Sequence, residues 1–173
     1  MARDQRMKYI EHKINSTTPL FVASSQGQTE VVKFLILNKA NIEEKDNYGR
    51  SPLFMAAQQG QLEVVKHLIL SKANIETQDD DGFTPLFVAS EQGKVEVVKH
   101  LVLNKANINV VKKDGFTPLF SAAQNGQLEV VKHLVLNKAN INLRSKLSQK
   151  GTQQKDLSFW NGSTPLLIAC YNG

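Results

Sequence analysis

The chain has 173 residues, 41% apolar and 21% charged, which is enough for one domain with a sizeable core and too apolar for a disordered coil. A net charge of +5 is too weak a bias to mark a nucleic-acid binder. The one cysteine, Cys170, excludes an internal disulfide, and no run approaches the roughly 18 apolar residues of a membrane helix.

In chain order, Met1–Arg6 carries charge and leads into no long apolar run, which argues against a cleaved leader. Residues 1–14 fit no full repeat. Tyr9, Ile10 and Ile14 form either one amphipathic turn covering the first unit or a frayed terminus. From residue 15 the chain repeats itself. Pro19, Pro52, Pro85 and Pro118 are each 33 residues apart, as are Gly27, Gly60, Gly93 and Gly126. Glu-Val-Val-Lys runs begin at Glu30, Glu63, Glu96 and Glu129. Residues 15–142 are therefore four copies of one unit.

Each unit reads as two short helices. In the third, Thr84-Pro85 supplies a hydroxyl cap and a proline suited to the first helical position. That helix carries Leu86, Phe87 and Ala89 and stops near Gly93. A second helix carries Val95, Val97, Val98, Leu101, Val102 and Leu103, with Glu96 and Lys99 paired on the wet face. After Asn104-Lys105-Ala106-Asn107 the chain is predicted to be extended, with Ile108 and Val110 alternating, and to turn at Asp114-Gly115. One unit cannot bury its apolar side alone, so the units stack into an all-α repeat solenoid with a continuous core.

A fifth unit opens at Pro165, 47 residues after Pro118, so residues 143–161 hold an insertion of 14 residues beyond the regular step. From Arg144 to Trp160 the insertion has a net charge of +3, and its end, Leu157–Trp160, is apolar. It is either a binding element or a tolerated surface excursion. Residues 162–173 supply only the first helix of the fifth unit, leaving Leu166, Leu167 and Ile168 with no second helix behind them. The expectation is a fragment, or an array that continues beyond Gly173.

Thr-Pro-Leu, then alanine, glycine and Glu-Val-Val-Lys at a 33-residue period resembles the ankyrin repeat, over about residues 15–173. The resemblance implies stacked helix-turn-helix units, hairpin-like finger loops on one side, and binding of other proteins through the fingers and inner helices. Three departures stand out. Where the family has histidine after Thr-Pro-Leu, this chain has Phe21, Phe54, Phe87, Phe120 and Leu167, which suggests an apolar column between units. Where the family has glycine after the second helix, it has Lys39, Lys72, Lys105 and Lys138. Either these lysines or the adjoining Asn38, Asn104 and Asn137 then adopt the left-handed conformation. The finger aspartate is present as Asp46 and Asp79 but replaced by Lys112. In some ankyrin proteins the asparagine matching Asn109 and Asn142 is hydroxylated, which makes these two candidate modification sites; the other reading is a finger asparagine bonding backbone.

No catalytic arrangement emerges. His67, His100 and His133 recur at one helical position, but adjacent helices lie roughly 8–10 Å apart, too far for successive side chains to share a zinc. Asp79-Asp80-Asp81-Gly82 lacks the spaced ligands of a calcium loop. No cofactor, no metal and no enzyme activity are expected. Positions that break the repeat are the candidate contacts: Tyr48, Arg50, Asp80, Asp81, Phe83, Glu91, Lys113, Asp114, Phe116, Trp160 and Tyr171. The finger with Glu76, Asp79, Asp80 and Asp81 carries a net −4, and its neighbour with Lys112, Lys113 and Asp114 a net +1. The reading is a monomeric, intracellular and cytoplasmic scaffold that binds another protein. The alternatives are a regulatory segment of a larger enzyme or channel, and binding of nucleic acid or another anion by the insertion.

Overall fold

The computed structural model describes residues 17–143, and in them eight helices follow one another as four pairs. The first members are α1 (Pro19–Ser25), α3 (Pro52–Gln59), α5 (Pro85–Glu91) and α7 (Pro118–Gln124). The second members are α2 (Thr29–Leu37), α4 (Leu62–Leu70), α6 (Val95–Leu103) and α8 (Leu128–Leu136). No strand forms among the described residues. Residues 1–14, the insertion beyond Leu143 and residues 162–173 lie outside them, and so do Trp160, Tyr171 and Cys170.

Each first helix starts where the sequence predicts. Thr18, Ser51, Thr84 and Thr117 accept the backbone N–H of Phe21, Phe54, Phe87 and Phe120 at 3.2–3.3 Å, and each cap is followed by proline. The phenylalanine thus donates its own N–H to the cap and needs no polar side chain there. Its ring is free to pack, and all four rings are at most 6% exposed. Burying a side chain of this size contributes about 1.5–3 kcal/mol.

The pairs stack in two rows. First helices touch first helices along the chain, second helices touch second helices, and each first helix packs on its own second. Leu20, Leu53, Leu86 and Leu119 form the centre of the first row, at most 1% exposed, against Val32, Val64, Val97 and Val130 of the second. Glu30–Lys33, Glu63–Lys66, Glu96–Lys99 and Glu129–Lys132 pair at 2.7–2.8 Å on the wet side of the second helices.

Two local features depart from, or decide between, the sequence expectations. The lysines take the left-handed conformation, with φ of 65°, 70°, 66° and 66° at Lys39, Lys72, Lys105 and Lys138. The preceding asparagines stay at φ near −90° because their carboxamides are engaged with the helix end. Asn38, Asn104 and Asn137 donate to the carbonyl four residues back at 2.8 Å. The segment after the second helix is not extended at Ile108. Asn107 accepts the Asn109 N–H through its side chain and the Val110 N–H through its carbonyl, which closes a turn. Leu103 closes the second helix as expected and faces out of the core. Two residues on from buried Leu101, it lies about 200° around the helix and is 78% exposed.

Candidate functional site

The three described fingers, residues 45–50, 78–83 and 111–116, share one backbone design. A turn bond joins Gly49 N–H to the Asp46 carbonyl, Gly82 to Asp79, and Gly115 to Lys112, at 2.8–3.1 Å. A second bond closes each neck, from Asp46, Asp79 and Lys112 N–H to the carbonyls of Arg50, Phe83 and Phe116 at 2.9–3.1 Å. These loops are the hairpin-like fingers expected from the sequence. At Gly49, φ is +74°, and a Cβ there would lie 2.9 Å from the Asp80 backbone nitrogen. The fingers approach that closely because Asp80 N–H donates to the Tyr48 carbonyl at 3.1 Å.

This repeated frame decides the identity. A family profile described as ankyrin repeats (3 copies) matches residues 4–79 and 53–145. The chain belongs to the ankyrin-repeat family. No curated protein matches it. Ankyrin repeats are in general protein–protein interaction modules, and typically non-catalytic ones. Among the described residues, no helix of this array is long and apolar enough to cross a membrane, and no three His, Cys, Asp or Glu side chains are grouped to hold a metal.

The ankyrin fingers differ in how they use their aspartate position. Asp46 is only 3% exposed at its side chain. One oxygen accepts the N–H groups of Tyr48 and Arg50 at 3.0 and 2.9 Å, and the other accepts two bonds from the Arg50 guanidinium at 2.8 and 2.5 Å. Burial pushes this carboxyl upward, but the Arg50 side chain and the two N–H groups outweigh it and hold it below the usual carboxylate range. A depressed folded value means that the stabilisation is complete above the unfolded pKa of about 3.9 and is lost as pH falls through the folded value. Asp46→Ala is accordingly expected to cost about 2 kcal/mol at neutral pH and to make stability less dependent on pH below about 4. Urea titrations of both chains at neutral and acid pH would check it.

Asp79 repeats part of this arrangement, accepting Asp81 and Phe83 N–H at 3.1 and 2.8 Å. Lys112 cannot accept. It pairs with Asp114 at 2.8 Å and sets its ammonium 4.0 Å from the Phe83 ring centroid and 5.8 Å from that of Phe116. The Phe83 ring meets Phe87 edge-on at 5.0 Å, and Phe116 stacks on Phe120 at 4.5 Å. Both finger rings are half-buried, Phe83 against the cluster of Phe21, Phe54, Met55 and Val88 and Phe116 against the separate cluster of Phe120 and Ala123.

The other candidate contacts have distinct settings. Tyr48 is 66% exposed, with the Arg50 guanidinium 4.8 Å from its ring centroid. Asp80, Asp81 and Lys113 are exposed, and Lys113 donates to the Asp80 carbonyl one unit back. Glu91 is half-buried at the end of α5, within 3.4 Å of the Ser121 hydroxyl. His100 is half-buried beside Asn104, and burial together with the Lys66 charge holds its imidazole below the ordinary value.

One feature is not evident from the sequence. Glu43, Glu76 and Asn109 each accept the backbone N–H of the residue 31 positions on, Asn74, Asn107 and Asn140, at 2.7–2.8 Å. The available signal is their 33-residue spacing. Its meaning is hidden because a carboxylate and a carboxamide serve the same purpose there. Asn109 is thus a rung between units, its carboxamide oxygen bonded to backbone.

Proposed function

We propose that this ankyrin array is a non-catalytic scaffold that binds another protein through its finger tips and the adjoining ends of the first-helix row. The observation that supports this reading is the contrast between a uniform frame and a varied rim. Caps, helices and finger backbones repeat from unit to unit. The exposed tips do not. They present Tyr48 beside Arg50, then Asp80 and Asp81, then Lys113. An aromatic anchor followed by patches of opposite charge suits a partner surface that is itself mixed in charge. The bracing between fingers favours docking with little change of shape. Phe83 and Phe116 contribute a ring edge while serving mainly to seat their fingers, and Asp114 serves mainly to hold Lys112.

Tyr48→Ala combined with Asp81→Lys tests the face without touching the core. The pair is expected to weaken capture of the partner at least about tenfold, with the thermal midpoint unchanged. Quantitative pulldown from the source cell, comparing parent and variant, reads it. Equal recovery of every captured protein by both chains would rule out this face.

A further inference from the structure

We propose that a leucine–lysine ridge on the second-helix row is a peripheral docking surface for an anionic lipid bilayer. Leu37, Leu70, Leu103 and Leu136 are the last residues of α2, α4, α6 and α8, and they are 81%, 74%, 78% and 81% exposed. The four helices neighbour one another in order. With helices roughly 8–10 Å apart, the leucines form a line on the order of 30 Å long. Single exposed leucines are ordinary, but four in register are a patch.

Two residues beyond each leucine stands an exposed lysine: Lys39, Lys72, Lys105 and Lys138. None makes an ion pair or hydrogen bond through its side chain with another described residue. The helix ends do not occupy them either, because in three units an asparagine carboxamide already serves the terminal carbonyls. The glutamates of the same helices are nine residues before these lysines and tied to lysines of their own. Glu43 and Glu76, in the following loops, are engaged with Asn74 and Asn107. The ridge therefore offers four apolar side chains beside four uncompensated cations on flexible stems.

That combination selects among occupants. A second copy of the chain would set lysine rows against each other. An amphipathic partner helix needs a groove, whereas these leucines project individually. A bilayer interface yields to projections, accepts leucine into the acyl boundary and meets lysine with phosphate and carboxylate headgroups.

The test is co-sedimentation of the whole 173-residue chain with vesicles of phosphatidylcholine alone or mixed with phosphatidylserine. Partition onto the mixed vesicles, weakening with salt, is expected, and little onto the neutral ones. Changing all four lysines to glycine should lower partition by about a hundredfold or more, at roughly fivefold per lysine. Because those lysines sit at positive φ, this variant should keep its helical circular dichroism and unfold at higher urea, so lost partition cannot be ascribed to unfolding. Changing the four leucines to glutamine should lower partition at least about tenfold. Equal partition onto both vesicle types overturns the proposal. So does partition that survives both sets of substitutions, which would place the attraction in the basic insertion instead.

Discussion

Phe54→Ala is expected to lower the stability of the array by about 3–5 kcal/mol. The ring is 2% exposed, within a cluster of Phe21, Met55 and Val88 and against Phe83. These residues come from three successive units, so the cavity opens at a joint and not within one hairpin. In a linear array, stability is a sum of unit and joint contributions, and a weakened joint uncouples its neighbours. Helical circular dichroism in urea should show a lower midpoint and a transition broader than the parent's. Phe54→Leu keeps most of the volume and the cap bond to Ser51, and should cost less than about 1.5 kcal/mol. Equal losses from the two substitutions would show that the ring does not act by filling space.

Changing Lys39, Lys72, Lys105 and Lys138 together to glycine should stabilise the array by on the order of 4 kcal/mol, about 1 kcal/mol per site. Each lysine has φ between 65° and 70°, where a Cβ crowds the following carbonyl. Glycine removes that clash at a smaller cost in backbone entropy. The sites lie in successive units without shared partners, so their effects should add. Asn38→Gly is the control. At φ −91° there is no strain to relieve, and the carboxamide bond to Phe34 would be lost. It should destabilise. A quadruple variant no more stable than its parent would mean that the left-handed turns carry no net strain.

The helical frame was legible because each of its causes recurs at a fixed step: a hydroxyl before proline, a glycine at the turn, apolar residues at helical spacing. The Phe-for-His exchange could be read as apolar packing because phenylalanine has no polar group to satisfy, but the rings fall into separate clusters, Phe21 with Phe54 and Phe120 apart from them, and do not form the one column expected. Legibility failed where a residue has two physical options. Asn107 could continue an extended chain or fold back on its own side chain, and only the local bonds decide. Leu103 counts as core by composition and as surface by its angle around the helix. Lys112 stands where aspartate was expected, and its answer, an ion pair plus two ring faces, depends on phenylalanines brought from two fingers. The candidate contacts Tyr48, Asp80 and Asp81 could be named from broken periodicity, but of the two bonds that join the first two fingers, Lys45 to the Gln78 carbonyl and Asp80 N–H to the Tyr48 carbonyl, the second joins backbone atoms and leaves no trace in residue type.

The rungs at Glu43, Glu76 and Asn109 have a mechanical consequence. The first two bonds accept with a carboxylate and the third with a neutral amide, and a charge-assisted bond is roughly twice as strong. An ankyrin stack under tension behaves as a spring whose coils share the load. Of these three rungs, the neutral one at Asn109 is the weakest, so removing it should cost the array less than removing either carboxylate rung.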